Sequence, residues 1–229
     1  MRAPIHVFLL IMNSIGIIGG AGPIAGAHLF KKIIHTFQRE YACFRDADFP
    51  KITLLSYPFD EMLDARPDAD KISLQIKSAI ENLLCIGTKY ITVACNTLHN
   101  FLPDTLPSHF VNMAKETLKK TKTYTRVLVL CTKTTKKYNL YKGAHFVYPD
   151  DADQNRLDHL ILQTLKNETT PSLKQELLSI IERQQDRADV ILLGCTELSL
   201  FEPKSHLIPI IDPIEIVASK LCHLSFQNP

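Results

Sequence analysis

Ile91-Thr92-Val93-Ala94-Cys95-Asn96-Thr97-Leu98-His99 is a short apolar, β-branched run that ends on a small residue, a thiol and hydrogen-bonding side chains. Such a run reads as a strand buried in a parallel sheet. The carboxyl end of such a strand is where open α/β sheets bind ligands. A helix opening just beyond is expected to favour the Cys95 thiolate and to lower its pKa from an ordinary value of roughly 8.5. Taken alone, the better reading of Cys95 is one more small buried residue. A second copy changes that. One hundred positions on, Ala188-Asp189-Val190-Ile191-Leu192-Leu193-Gly194-Cys195-Thr196-Glu197-Leu198 ends the same way. The next residues, Leu198-Ser199-Leu200-Phe201-Glu202-Pro203, echo Leu98-His99-Asn100-Phe101-Leu102-Pro103. Two strand-end thiols in matching contexts predict two similar half-domains facing one cleft.

Composition sets the outer bounds. A chain of 229 residues fits one large domain or two small lobes. Its 45% hydrophobic and 22% charged content is ordinary for a soluble globular protein. A net charge of +2 gives no field directed at nucleic acid or a charged membrane surface. The basic clusters at 115–122 and 133–137 read as solvated faces. No apolar run reaches the ~20 residues of a membrane span. The six cysteines are irregularly spaced and no export signal precedes them, which argues against a disulfide framework and for a reducing cytoplasm. Arg2 followed by the apolar run 5–12 imitates a signal peptide, but no small-residue cleavage site comes after it and 15–18 is needed as a strand. Residues 1–11 therefore read as a short extension or the product of an upstream start codon.

Upstream, Ile15-Gly16-Ile17-Ile18-Gly19-Gly20-Ala21-Gly22-Pro23 reads as a buried strand, a glycine turn, and a helix entered with Pro23 near its first position. The loop is a candidate cradle for a carboxylate or phosphate. Its spacing departs from the GxGxxG dinucleotide fingerprint, so a nicotinamide oxidoreductase is a remote alternative. A second strand is expected at 51–57, followed by a loop at 58–70. There Asp60, Glu61 and Asp64 alternate with Arg66 and Pro67 and read as surface. An amphipathic helix at 71–86 leads directly into the Cys95 strand, which is βαβ logic. The second half repeats it: a strand at 125–132 ending in Thr132 and Thr134, a short helix at 136–141, a short strand at 145–148, apolar stripes at 157–165 and 173–184, the Cys195 strand, a brief strand at 207–211, and a terminal helix after Asp212-Pro213. His99 lies four residues after Cys95 and, with Cys131 or Cys195, suggests zinc. No second ligand pair exists, so no metal is expected and a hydrogen-bonding role near the thiol is the stronger alternative. Glu197 either orients or deprotonates Cys195 or caps the following helix.

Together, Gly19-Gly20-Ala21-Gly22-Pro23, Ala94-Cys95-Asn96-Thr97-Leu98-His99, Leu130-Cys131-Thr132-Lys133-Thr134 and Leu193-Gly194-Cys195-Thr196-Glu197-Leu198 resemble the aspartate/glutamate racemase family, over nearly the whole chain after Met12. The resemblance implies an α/β protein of two similar Rossmann-like lobes with parallel sheets and the active site in the cleft between them. The lobes are expected at 12–112 with 213–229, and at 113–212. It implies a cofactor-independent amino-acid racemase, in which Cys95 and Cys195 remove and return the α-proton on opposite faces of the substrate. Gly20, Ala21, Asn96, Thr97, Thr132, Thr134 and Thr196 would bind the α-carboxylate as charge moves into it. A homodimer with a small amino acid as its ligand is expected. Ala21 stands where many members have methionine, and Leu98 where a smaller residue is common. Tyr57-Pro58-Phe59-Asp60-Glu61-Met62 lacks the arginine with which aspartate-specific relatives hold the distal carboxylate. Lys166 lies where some relatives place a substrate-binding lysine, although an exposed helical lysine is the plainer reading. The substrate is expected to be aspartate, glutamate or a broader set. The alternatives are a related cysteine-dependent isomerase or decarboxylase of small carboxylic acids, and a catalytically idle amino-acid-binding protein.

Overall fold

Two parallel sheets, flanked by helices, account for the near-continuous apolar runs of the sequence. The first consists of β1 (Ile15–Gly19), β2 (Ile52–Ser56) and β3 (Tyr90–Val93) in the order β2-β1-β3. The second consists of β4 (Val127–Leu130), β5 (Phe146–Val147), β6 (Val190–Leu193) and β7 (Ile210–Ile211) in the order β5-β4-β6-β7. The computed structural model describes residues 12–60, 67–166, 169–205 and 207–227. The extension 1–11 and the loop residues Glu61, Met62, Asp64 and Arg66 lie outside them. The central strands β1, β4 and β6 are buried along their whole length, whereas β2, at the edge of its sheet, is mostly half-exposed.

The helices follow the apolar periodicity, and polar caps extend several of them beyond it. α1 (Pro23–Tyr41) starts with proline after left-handed Gly22 and buries Leu29, Ile33 and Phe37. α2 (Ala69–Cys85) is capped by Asp68, which accepts from Lys71 N, and buries Ile72, Ile76, Ala79, Ile80 and Leu83. In the second half come α4 (Lys133–Lys137), α5 (Asp151–Leu165) and α6 (Pro171–Gln184), capped by Thr132, Asp150 and Thr170. α5 begins six residues before its apolar stripe because Asp150 and Asp153 open it. Between the halves lies α3 (Met113–Thr121), a helix the sequence reading treats only as a basic cluster near the lobe boundary. Its buried face is Met113, Ala114, Thr117 and Thr121, too polar to stand out as a stripe. α7 (Pro213–Phe226) returns to pack on α1 and α3, and its Ile214, Val217, Ala218 and Leu221 share a core with β1 and α1. α3 spans the halves: Met113 joins that core, while Leu118 packs against the Val127 and Val129 cluster of the second sheet. No helix among the described residues is long and apolar enough to cross a membrane.

The internal repeat is structural as well as sequential. Within β3, Ile91 forms a parallel bridge with Phe110, and its carbonyl accepts from Val111 N at 2.7 Å. Within β6, Ile191 pairs in parallel with Ile210, and its N–H donates to the Pro209 carbonyl at 2.9 Å. Each half then enters a helix through a polar cap, Asn112 before α3 and Asp212 before α7, again one hundred positions apart.

Candidate active site

Each sheet has one place where the chain reverses its direction of winding: between β1 and β3 in the first, and between β4 and β6 in the second. A crevice opens at such a point beyond the carboxyl ends of the strands. The glycine loop leaves β1 and Cys95 follows β3; Thr132 follows β4 and Cys195 follows β6. The two crevices open on one cavity of about 480 Å³, lined among others by Gly20, Ala21, Cys95, Thr97, Thr132, Lys166, Cys195 and Glu197. The halves are bridged beside it. Thr97 Oγ1 lies 3.1 Å from Thr135 Oγ1 and 3.4 Å from Thr132 Oγ1. Tyr141 donates its hydroxyl proton to Asn96 Oδ1 at 2.7 Å.

Both thiols are buried, and burial decides their protonation. Desolvation, reinforced by the Glu197 carboxylate, pushes Cys95 up to about 12, although the N–H groups of Leu98 and Thr97 and the Thr97 hydroxyl pull the other way. Cys195 is raised well above its ordinary value by burial and by Glu197. The expected lowering by a helix N-terminus therefore does not occur. Each cysteine leads into a short 3-10 turn, Thr97–Phe101 or Leu198–Phe201, whose few N–H groups are outweighed by the loss of water. Glu197 does not cap the following turn. Cys195 Sγ donates to Glu197 Oε2 at 2.9 Å, and Thr196 Oγ1 donates to the same oxygen at 3.4 Å. Burial raises the Glu197 pKa as well.

The model of the Asp/Glu/hydantoin racemase family matches residues 18–221. The chain belongs to that family. It is thus a racemase of the Asp/Glu type with the two-lobe α/β fold. Among curated proteins it is similar to the broad specificity amino-acid racemase RacX of Bacillus subtilis (strain 168), 27% identical over 229 residues that cover 93% of this chain and 100% of that one. Among solved structures it is similar to Picrophilus torridus aspartate racemase, with 28% identity, a TM-score of 0.78, and 93% of this chain and 94% of that chain covered. The fold also matches a glutamate racemase from Thermus thermophilus in complex with β-chloro-D-alanine, at 16% identity and TM-score 0.60 over 93% of this chain and 80% of that one.

In this racemase the other expected site residues divide into those at the cavity and those behind it. Asn96 is buried outside the lining, with Oδ1 held by Tyr141 and Nδ2 without a partner. Thr196 is buried beside Glu197. Thr134 lines an adjoining cavity of about 220 Å³ that shares Thr132, Ile161 and Leu162 with the main one. His99 touches the backbone of Cys95 and not its sulfur. Met113 N donates to His99 Nε2 at 3.1 Å, so the ring proton sits on Nδ1 and is given to the Cys95 carbonyl at 2.8 Å. Burial lowers its pKa to about 4, which keeps the ring neutral. Among the described residues no three His, Cys, Asp or Glu side chains gather as a metal ion would require, and all six cysteines carry free thiols.

Sequence reading misses the apolar wall of the cavity, Phe59, Ile161, Leu162 and Leu165. The stripe on α5 reads as core, and only the 43% exposure of Leu162 reveals that part of it faces an opening. Asp60, read as surface, lines the cavity too, with its carboxylate held by Lys71 and Gln75. Lys166 is exposed at the end of α5 and is the one cationic side chain among the described lining residues.

Proposed function

We propose that the chain interconverts the enantiomers of free amino acids by a two-thiol mechanism that needs no cofactor. One sulfur removes the α-proton from one face, and the other delivers a proton to the opposite face. The observation that carries this reading is that Cys95 and Cys195, at matched positions of the two halves, open on one cavity. Racemisation needs a base and an acid on opposite sides of one carbon, and twin strand ends facing each other supply them. Charge brought in with the substrate offsets the burial that raises both thiols. A substrate ammonium beside either sulfur favours the thiolate, and the N–H groups directed at Cys95 hold it once formed. The Thr97 and Thr132 hydroxyls and the Gly20-Ala21 backbone receive the α-carboxylate, where the charge released from Cα accumulates.

The substrate range is broad. A dicarboxylic substrate buried without a partner for its second charge would be costly. The cavity offers Lys166 at its rim, and the nearby carboxylate is Asp60. The apolar wall accepts neutral side chains, as the similarity to a broad specificity racemase supports. The test is α-proton exchange in deuterium oxide, followed by NMR, on both enantiomers of aspartate, glutamate, asparagine, glutamine, serine, alanine, lysine and arginine. Exchange across neutral members, without an overwhelming preference for aspartate or glutamate, is expected. Activity confined to aspartate and abolished by Lys166→Ala would overturn the broad range; no exchange on any member would overturn the racemase reading of this site.

A further inference from the structure

The two thiols differ in how they exchange protons with solvent. Position 197 holds a glutamate where its twin, position 97, holds a threonine. Glu197 stands between two cavities. On one side it lines the main cavity, with Oε2 accepting from Cys195 Sγ at 2.9 Å. On the other it lines an adjoining cavity of about 10 Å³ with Ile24, Thr164 and Leu200, which shares Gly22 and Leu165 with the main one and is on the order of the room one water needs. Oε1 lies where the two cavities adjoin: a methyl group built on Gly22, which lines both, would come within 2.0 Å of it. Ile24, at the mouth of this second cavity, is 45% exposed. Thr97, by contrast, faces the main cavity and shares its hydroxyl with Thr132 and Thr135.

We propose that Glu197 is a proton relay that resets Cys195 through the second cavity while the main cavity is occupied. This rests on the two-thiol reading above. After Cys195 has taken the α-proton, its S–H bond breaks and the proton passes to the Glu197 carboxylate, leaving the thiolate. The carboxylic acid then releases that proton to water at the Ile24 side. When Cys195 has acted as the acid, the same steps run backwards. Cys95 lacks this route, so a proton it removes stays on the sulfur until the substrate leaves. Glu197 acts through Cys195 and is a positioning and relay residue.

The experiment uses the full chain in ordinary water with the fastest-exchanging amino acid of the panel, deuterated at Cα, as each enantiomer in turn. The quantity read is the fraction of unconverted starting enantiomer that has lost its deuterium at low conversion. For the enantiomer handled by Cys195 this washout exceeds that of the other severalfold. Glu197→Gln lowers it severalfold in that direction and leaves the other unchanged; a merely structural role would slow both directions and move neither washout. Ile24→Trp, which plugs the second cavity without touching the first, lowers the same washout while iodoacetamide labelling of both thiols is retained, and it carries the test if the glutamine variant does not fold. Equal washout from both enantiomers, or variants that change neither or both, would overturn the relay while leaving racemisation in place. If no panel member exchanges, the two-thiol reading and the relay fall together.

Discussion

Residues 90–113 and 190–213 build the same object twice, and they differ in the side chains set around each thiol. In both, a buried strand ends on a small residue and a cysteine, a 3-10 turn comes next, and a tether runs from position 99 or 199 to the start of the next helix. In the first half the tether is His99, which bridges the Cys95 carbonyl and Met113 N. In the second it is Ser199, which donates to Asp212 Oδ1 at 2.7 Å. The Cys95 sulfur faces N–H groups and a hydroxyl; the Cys195 sulfur donates to a carboxylate. The shared architecture places two thiols at one cavity, and the unshared side chains give each thiol different polar neighbours.

The most severe way to break the comparison is to remove either sulfur. Cys95→Ala and Cys195→Ala each lower the racemisation rate by about 10²–10⁴-fold, because either proton transfer alone cannot invert the centre. Chiral chromatography of the products checks this, and a variant retaining wild-type turnover would mean that its thiol is a bystander.

The strand ends themselves are unequal. A methyl group on Gly194 would meet Cys131 Cβ and Val129 Cγ1 at 2.8 Å, whereas Ala94 already fills its place. Gly194→Ala is therefore expected to destabilise by ~1–3 kcal/mol through overpacking, and Ala94→Gly by about 1 kcal/mol through backbone entropy and a lost buried methyl. Urea denaturation measures both.

Protonation sharpens the contrast between the tethers. His99 is lowered by burial from 6.5 to about 4, so its contribution to stability is complete above pH 6.5 and is lost as the pH falls towards and through 4. Asp212 is raised by burial from 3.8 to about 6, so its contribution is complete below pH 3.8 and is lost as the pH rises through 6. The two slopes oppose each other between pH 4 and 6. Asp212→Asn steepens the loss of stability on acidification; His99→Ala flattens it and costs a further ~1–3 kcal/mol for the buried Met113 N–H left without an acceptor. Unfolding curves across that range check both signs.

The smallest effect is expected at the surface link between the halves. Lys32 on α1 pairs with Glu202 at 2.9 Å and with Glu215 at 2.5 Å, and both carboxylates are well exposed. Lys32→Met shifts stability by less than about 1 kcal/mol. A much larger loss would mean that the link, and not the buried threonine and Asn96–Tyr141 contacts, holds the lobes in register.

The parts legible in the sequence are those with period and punctuation. The glycine loop before Pro23, the α2 stripe, the two cysteine-ended strands and the strand that ends at Thr132 carry their own signals, and the cavity residues drawn from them, Gly20, Ala21, Thr97, Thr132 and Glu197, come with them. α3 is hidden because threonines do the packing that apolar residues do elsewhere. The cavity wall on α5 is hidden because one stripe serves both core and cavity, a division made only when the lobes meet. The pKa expectation fails for a related reason: a local pattern shows which N–H groups approach a sulfur but not how much water the other lobe removes from it.

The central claim, that the twin halves present an acid and a base to opposite faces of one carbon, is tested most directly by the isotope content of newly formed product. A single undeuterated enantiomer of the fastest-exchanging amino acid is incubated in deuterium oxide with the wild-type enzyme, and the opposite enantiomer is isolated before the reaction has gone far. The account predicts that this product carries deuterium at Cα from its first appearance, because the thiol that delivers the proton is not the one that removed it. Product that retains the original protium would mean one base serving both faces, and would contradict the division of labour between Cys95 and Cys195.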